Sequence, residues 1–308
     1  MKLIKPSFKI IGQQPGLEGL YKQIEMAGRT CYKSEDKITE DSAKEFVDRM
    51  IKSGHGAMLE HGTVYLKLTN KGLLLDNYDK NHIEDKYINN KYSTVVFGKY
   101  PKYNSYEEKM NAIQEVYITT NLRVLVENGW MDDLQYICEP TEYHEKRITV
   151  KFICDRGVSH EFVRHRVFSF AQESTRYCNY SKDKFDNEIA YILPPWIGET
   201  DVRNFYENSK GDNYLKYNED SLGGSFAFLF NLEELEETYI TLVKEEGWKP
   251  QEARAILPNA LKTELVMTGF VSDWKHFFEL RDAGSAHPQA RELAQPLHKL
   301  FIEKQWLD

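Results

Sequence analysis

Two segments of the chain alternate apolar and polar residues and are rich in β-branched side chains: TVYLKL (63–68) and RITVKFIC (147–154). The pattern predicts two half-buried strands. Nearly eighty residues separate them, too many for an ordinary connection inside a compact domain. The first part of the interval, DNYDKNHIEDKYINNKYSTVVFGKYPKYNSYEEK (76–109), is rich in Asn, Lys, Tyr and Asp and holds no sustained period. It reads as loop, with one short hairpin around STVVFGKY. The later part, MNAIQEVYITTNLRVLVEN (110–128), reads as helix. The stretch from about 70 to 146 is therefore expected to be an insertion in the fold.

Around it the chain alternates helices with a few strands. TEDSAKEFVDRMIKS (39–53) sets Ala43, Phe46, Val47, Met50 and Ile51 at helical spacing, with Glu40 and Asp41 favouring the first turn and Gly54 available to end it. Further helices are predicted near 158–168, 231–246, 250–279 and 288–304; Leu232, Leu235, Tyr239, Leu242 and Val243 form the stripe of the second. Pro258 and Pro296 should interrupt or kink the last two. There is no internal repeat and no Pro/Gly/Ser linker. The expected architecture is one α/β (α+β) domain over residues 1–308, a mixed or antiparallel sheet flanked by helices, carrying the large insertion.

Composition excludes several classes of function. With 308 residues, 41% of them hydrophobic, the chain can bury a sizeable core. No run of about 18 apolar residues offers a membrane span. The start, MKLIKPSFKIIGQQPG, has too short an apolar stretch for a signal peptide, so a cytoplasmic protein is expected. Cys31, Cys138, Cys154 and Cys178 form no C-x-x-C pair, which predicts reduced thiols rather than a zinc knuckle or disulfide framework. His61, His144, His160, His287 and His298 lack metal-ligand spacing, so no metal is expected. A net charge of −8 argues against a broad nucleic-acid-binding face.

Against that acidic background, RHRVFSFAQESTRY (164–177) packs three arginines and a histidine into fourteen positions. The plain interpretation is a solvated helix face followed by a polar turn. The alternative is an anion site. Guanidinium forks match phosphates and planar imides as lysine cannot, and Ser174, Thr175 and Arg176 with their backbone N–H groups can surround a phosphate in a turn. The glycines of a Walker loop or a dinucleotide fingerprint are missing. The segment therefore points to a small phosphorylated ligand bound some other way.

Arg164-His165-Arg166, seven residues and then Ser174 resembles the RHR-x7-S signature of the flavin-dependent thymidylate synthases, and the match continues through Arg176-Tyr177. Further blocks follow the family's order: GRTCY (28–32), GHGAMLEH (54–61), ARAILP (253–258) and HFFELRDAGSAHPQARELA (276–294). The resemblance covers most of the chain apart from about 70–146, which looks like an enlarged loop and helix. It implies conversion of dUMP to dTMP with methylenetetrahydrofolate as carbon donor and NADPH as reductant, through bound FAD, in a homotetramer with sites shared between subunits. By the same resemblance Glu161, Arg164, Gln172, Glu173, Ser174, Thr175, Arg176, Arg254 and Arg281 border dUMP. Arg281 would favour ionisation of the uracil ring at N3, and Ser174 would be its catalytic companion. Arg164, His165, Arg166, Gln172, His55, Ala57 and His276 would face FAD.

Three positions depart from the family pattern. Ala57 stands where Ser or Thr is usual, so a flavin contact there must come from backbone. Phe270-Val271-Ser272 replaces an Asn-x-Arg flavin contact, and Glu161 replaces a common glutamine. The latter exchanges a two-way amide for an acceptor unless protonated.

Other readings are weaker. A non-catalytic nucleotide-binding or RNA-binding protein would need the RHR segment only as a phosphate clamp; it would not need His276 and Arg281 a hundred residues downstream. A flavin reductase with a different acceptor would not need Arg281 or the 172–176 turn. Cys178, beside the motif, has no adjacent His or Lys to depress its pKa and is read as a buried thiol rather than a nucleophile. No Ser-His-acid set accompanies Ser174, which suits a positioning hydroxyl.

Overall fold

The computed structural model of the protein describes residues 1–71, 83–98, 105, 113–182, 185, 187–208 and 223–307. Its centre is a four-stranded antiparallel sheet in the order β2 (Ser7–Ile11), β6 (Arg147–Asp155), β9 (Lys262–Phe270), β7 (Ser169–Gln172). Alternation along the strands sends successive side chains to opposite faces. Ile148, Val150 and Phe152 of β6 and Leu265 and Met267 of β9 face Trp274, Phe277 and Phe278 of α10 (Val271–Arg281) and Leu293, Leu297 and Phe301 of α11 (Pro288–Glu303). Burial of each such side chain contributes roughly 1.5–3 kcal/mol. This aromatic layer fixes α10, the helix that ends in Arg281.

The other face carries Val266 and Ala171 against Leu20, Ile24 and Ala27 of α1 (Gly16–Tyr32) and Phe46 and Val47 of α2 (Ser42–Lys52). The two helices approach closely because Gly28 has no side chain: a Cβ there would lie 2.7 Å from Phe46 Cε1. Short α3 (Gly56–Leu59) follows, with His55 at its start.

The insertion differs from its expected form. Residues 113–121 are strand, not helix. β3 (Thr63–Lys71) pairs antiparallel with β5 (Ile113–Asn121) along its whole length, and β4 (Thr94–Phe97) takes the other edge of β5. The helical part of 110–128 is only α5 (Leu122–Asn128), started by Asn121, whose side chain accepts from Val124 N at 3.2 Å. Val116, Ile118, Thr119 and Thr120 are β-branched, and two flanking partners outweigh a short helical period. A further short helix, α4 (Ile83–Ile88), lies within the stretch expected to be loop. The expected hairpin at 93–100 is represented by β4 pairing with β5; residues 99 and 100 lie outside the described residues, as do 72–82, 101–104 and 106–112. Val64, Leu66, Val116 and Ile118 share one core with α1 and α2, so this sheet is built into the body of the fold.

Two other expectations are corrected. The predicted helix at 250–279 is α9 (Pro250–Ala253), a 3-10 turn at Arg254–Ile256, then β9 and α10. β9 has a strand on either side and is buried across Thr263–Gly269, so its sequence, with Leu265, Val266 and Met267 in succession, does not alternate. The helix expected at 158–168 is α6 (Arg156–Phe162), which ends before the RHR triplet. α11 is not interrupted at Pro296, which lies on its exposed face. The remaining elements are β1 (Lys2–Ile4) parallel to β8 (Ala190–Ile192), α7 (Glu199–Asn208) and α8 (Gly224–Lys244), with Tyr180, Tyr191, Leu232, Tyr239 and Leu261 forming a third core. Among the described residues no helix is long and apolar enough to cross a membrane.

Candidate active site

The RHR triplet occupies the connection between α6 and β7. Asp155 starts α6 by accepting from Val158 N at 2.7 Å, and the helix stops within two turns, leaving residues 163–168 to fold back into the sheet. Arg164 and Arg166 are exposed while His165, only 7% exposed, turns inward against Phe277 and Phe168. Arg281, at the end of α10, donates from Nε to His165 Nε2 at 3.0 Å, from Nη1 to Glu161 Oε2 at 2.7 Å and from Nη2 to the Glu161 carbonyl at 2.9 Å. Since Nε2 accepts, the His165 proton belongs on Nδ1. Burial, with the positive field of Arg281 and then His276, pulls the His165 pKa down to about 4, so the ring is neutral at physiological pH. His276 lies 6.2 Å from His165 between ring centroids, and its side chain is 63% exposed. The structure thus brings Glu161, His165, His276 and Arg281 together.

A second group forms around the turn after β7. Gln172 donates to Ser159 Oγ at 2.8 Å and Thr263 Oγ1 at 3.3 Å. Glu173 bonds through its backbone N–H to the Glu264 carbonyl at 2.8 Å. Ser174 donates its N–H to the Cys31 carbonyl at 3.1 Å, and its own carbonyl accepts from the N–H groups of Tyr177 and Cys178. Arg254, from the 3-10 turn, reaches Thr175 Oγ1 at 3.2 Å across 79 residues of sequence. Arg176 is exposed and lies over the Tyr177 ring, which packs on Tyr32; the Tyr32 hydroxyl meets His55 Nδ1 at 3.1 Å. His55 is thereby joined to this turn. Cys178 is buried, and burial, with Glu173 beside it, pushes its thiol up to about 12, which removes the thiolate.

Beneath the turn lies a buried set of charges that sequence reasoning missed. Glu173 is 2% exposed, and its carboxylate takes Lys262 Nζ at 2.8 Å. Lys262 also meets Glu264 at 2.6 Å, and Lys151 and Lys33 close on the same carboxylate. Burial works against the charge of Glu264, but Lys262, Lys151 and Lys33 together hold its carboxyl well below the ordinary range. The signal was present: Lys262-x-Glu264 and Lys151 are charges inside apolar strand runs. With 262–270 taken as helix, the two could not be placed on one sheet face.

Ala57 and Arg166 lie elsewhere, on a cavity of about 720 Å3 between the insertion and the end of the central sheet. Tyr92 and Arg123 line its insertion side, and Phe168, Phe270 and Arg147 its sheet side. A second, smaller cavity of about 260 Å3 takes Glu161, Asp155 and His287. No described cavity of the single chain collects all the predicted residues. At the departure Phe270-Val271-Ser272, Ser272 Oγ donates to Glu145 Oε1 at 2.5 Å.

An antiparallel sheet sandwiched by helices, with an arginine-rich turn that a distant arginine reaches, places the protein among α+β folds. Residues 139–305, from just before β6 through α11, match the family described as thymidylate synthase complementing protein, and the chain belongs to that family. Named relatives include the flavin-dependent thymidylate synthases of Corynebacterium efficiens, 34% identical over 140 residues, which are 45% of this chain and 50% of that protein. That of Corynebacterium aurimucosum is 32% identical over 149 residues, 48% of this chain and 55% of that protein. The chain spans about half the length of the curated relatives it matches. Among solved structures, a UMP/dUMP methylase, PolB from Streptomyces cacaoi bound with 5-Br dUMP, overlaps 98% of this chain and 93% of its own at 15% identity, with a TM-score of 0.40.

Proposed function

We propose that the protein is a flavin-dependent thymidylate synthase, converting dUMP to dTMP with methylenetetrahydrofolate as carbon donor and NADPH as reductant through FAD. The observation that carries the reading is the turn at 174–176, where Ser174 and Arg176 stand beside Thr175 and the remote Arg254 closes over it. Two guanidinium groups and a hydroxyl around one backbone turn suit a phosphomonoester. Membership of the family, whose named relatives are flavin-dependent thymidylate synthases, supports it.

Arg281 is the chain's proposed catalytic group. Its three bonds to His165 and Glu161 hold the guanidinium rigid and use three of five N–H groups. One N–H on each terminal nitrogen remains. That pair matches the edge formed by N3 and a flanking carbonyl of uracil, where negative charge must develop for C5 to act as a carbon nucleophile. A preorganised cation there stabilises the charge without reorganising. His165, kept neutral, holds Arg281 without competing for its field, and Ser174, Arg176 and Arg254 anchor the phosphate.

The flavin fits the residues present. The cavity of about 720 Å3 is within the size range of cofactor sites, and aromatic walls with cationic side chains suit a planar ring system bearing phosphates. Bound there, FAD would supply the hydride transfer the protein's side chains cannot perform. Arg166 and the backbone of Ala57 would hold it on one side; Arg164 and His276, exposed near His165, would meet it from another subunit of a homotetramer.

The test is tritium release from C5-labelled dUMP by the FAD-loaded protein. Release that requires NADPH and methylenetetrahydrofolate, with dTMP formed, is the expected result. A flavin-loaded, folded protein that releases no tritium would overturn the reading.

A further inference from the structure

Arg147, the first residue of β6, is a half-buried cation whose hydrogen bonds among the described residues go to neutral oxygens. Nη1 donates to the Glu60 carbonyl at 3.0 Å and to Thr63 Oγ1 at 3.4 Å, and Nη2 to Ser169 Oγ at 3.2 Å. Burial pulls its pKa down to about 10, against the opposing pull of Tyr65, Glu60 and Asp273 nearby. No carboxylate among the described residues hydrogen-bonds to the guanidinium, which keeps N–H groups to offer an anion.

The cavity of about 720 Å3 supplies the setting. Its lining carries four cations, Lys91, Arg123, Arg147 and Arg166, and three carboxylates, Glu60, Glu127 and Asp273. Arg123 pairs with Glu60 and Glu127. The lining thus holds one more cation than carboxylates, and one of those carboxylates, Asp273, is already accepting from Phe270 N at 3.0 Å. The guanidinium of Arg147 lies 5.5 Å from the Phe270 ring centroid, its partner across the β6–β9 ladder. Charge and aromatic surface are thus presented together. The smaller cavity that Arg147 also borders, about 200 Å3, is lined by Glu139 and has no second cation.

The geometry points to Arg147 as the residue that binds the pyrophosphate of the dinucleotide cofactor, with Arg166 and Lys91 completing the anion site from the RHR turn and the insertion. The inference rests on the flavoprotein reading and extends it to residues outside the family's motif blocks. It gives the insertion a function, since Lys91 and the Tyr92 ring form a wall the central sheet lacks.

The experiment is a flavin-fluorescence titration of flavin-stripped protein with FAD and with riboflavin, which has no phosphate, and a parallel titration with NADPH. Arg147→Gln should weaken FAD binding on the order of 10- to 100-fold, as expected for loss of a charge-assisted phosphate contact, and leave riboflavin binding unchanged. Arg147→Lys, which keeps the charge but not the fork, should lie between them; if the Gln variant does not fold, Lys carries the test by the same FAD-to-riboflavin ratio. Equal losses for FAD and riboflavin, unchanged FAD binding, or a loss confined to NADPH would each overturn the assignment. Wild-type protein that binds no flavin would instead bring down the flavoprotein reading, and this inference with it.

Discussion

At the scale of single residues, the central observation is that Arg281 is immobilised by groups that do not neutralise it equally. His165 is a neutral acceptor, and Glu161 offers one carboxylate oxygen and one carbonyl. Arg281→Ala should therefore lower dTMP formation on the order of 10²-fold or more, as for loss of a preorganised charge-stabilising donor, while NADPH oxidation by the flavin-loaded protein largely survives. Wild-type rates of dTMP formation in this variant would refute the role. The neutral histidines also make a prediction about pH. Burial pulls His165 down to about 4 and His61, whose Nδ1 meets Thr268 Oγ1 at 2.8 Å, down to about 3. The unfolded chain takes up these two protons near pH 6.5, the folded chain only well below it. Their contribution to stability is full above pH 6.5 and is lost as the pH falls from there towards 3, by on the order of a few kcal/mol in all. Thermal melts between pH 7.5 and 5 should show the midpoint falling before carboxylates titrate; a flat profile would contradict it.

The elements explain why the turn that carries Ser174 and Arg176 keeps one shape. β7 ends at Gln172, and the next residue, Glu173, is fastened twice to β9, by backbone to Glu264 and by side chain to Lys262. Breaking a buried charge set by removing one partner is strongly destabilising, which makes it a rigid but demanding support. Ser174 then rests on the end of α1 through the Cys31 carbonyl. The position of α1 depends on its approach to α2 at Gly28. Gly28→Ala should force the Phe46 ring aside, costing about 1–3 kcal/mol and lowering the melting midpoint by a few degrees. Adding Phe46→Leu should recover part of the loss. If Gly28→Ala is as stable as wild type, the contact is looser than the geometry indicates.

At the scale of the whole molecule, the proposed flavin ligands do not converge within one chain. Arg164 and His276 are exposed near His165, whereas Ala57 and Arg166 line the cavity beside the insertion. A site assembled from several chains reconciles these positions, and a homotetramer is the assembly we propose. Light scattering at the concentration of the activity assay should give about four times the chain mass, 36.1 kDa. A monomer with full activity would exclude shared sites.

The sequence by itself determined the arginine-rich segment, the family resemblance and the strand at 147–154, because each depends on residue types at short, fixed spacing. Resemblance alone suggested that Arg254 and Arg281 serve one site; the structure sets Arg254 at Thr175 and Arg281 at His165 and Glu161. What it could not determine depends on which strands become neighbours. Residues 113–121 and 262–270 have patterns a helix could share, and only partners on both sides make them strands. Once β9 is a central strand, Lys262, Glu264 and Lys151 fall on one buried face and explain one another. Arg147 and the cavity of the insertion likewise have no meaning until the second sheet packs beside the first. Local pattern fixes what a residue can do, but long-range pairing decides which charges are buried together, and burial is what makes those charges consequential.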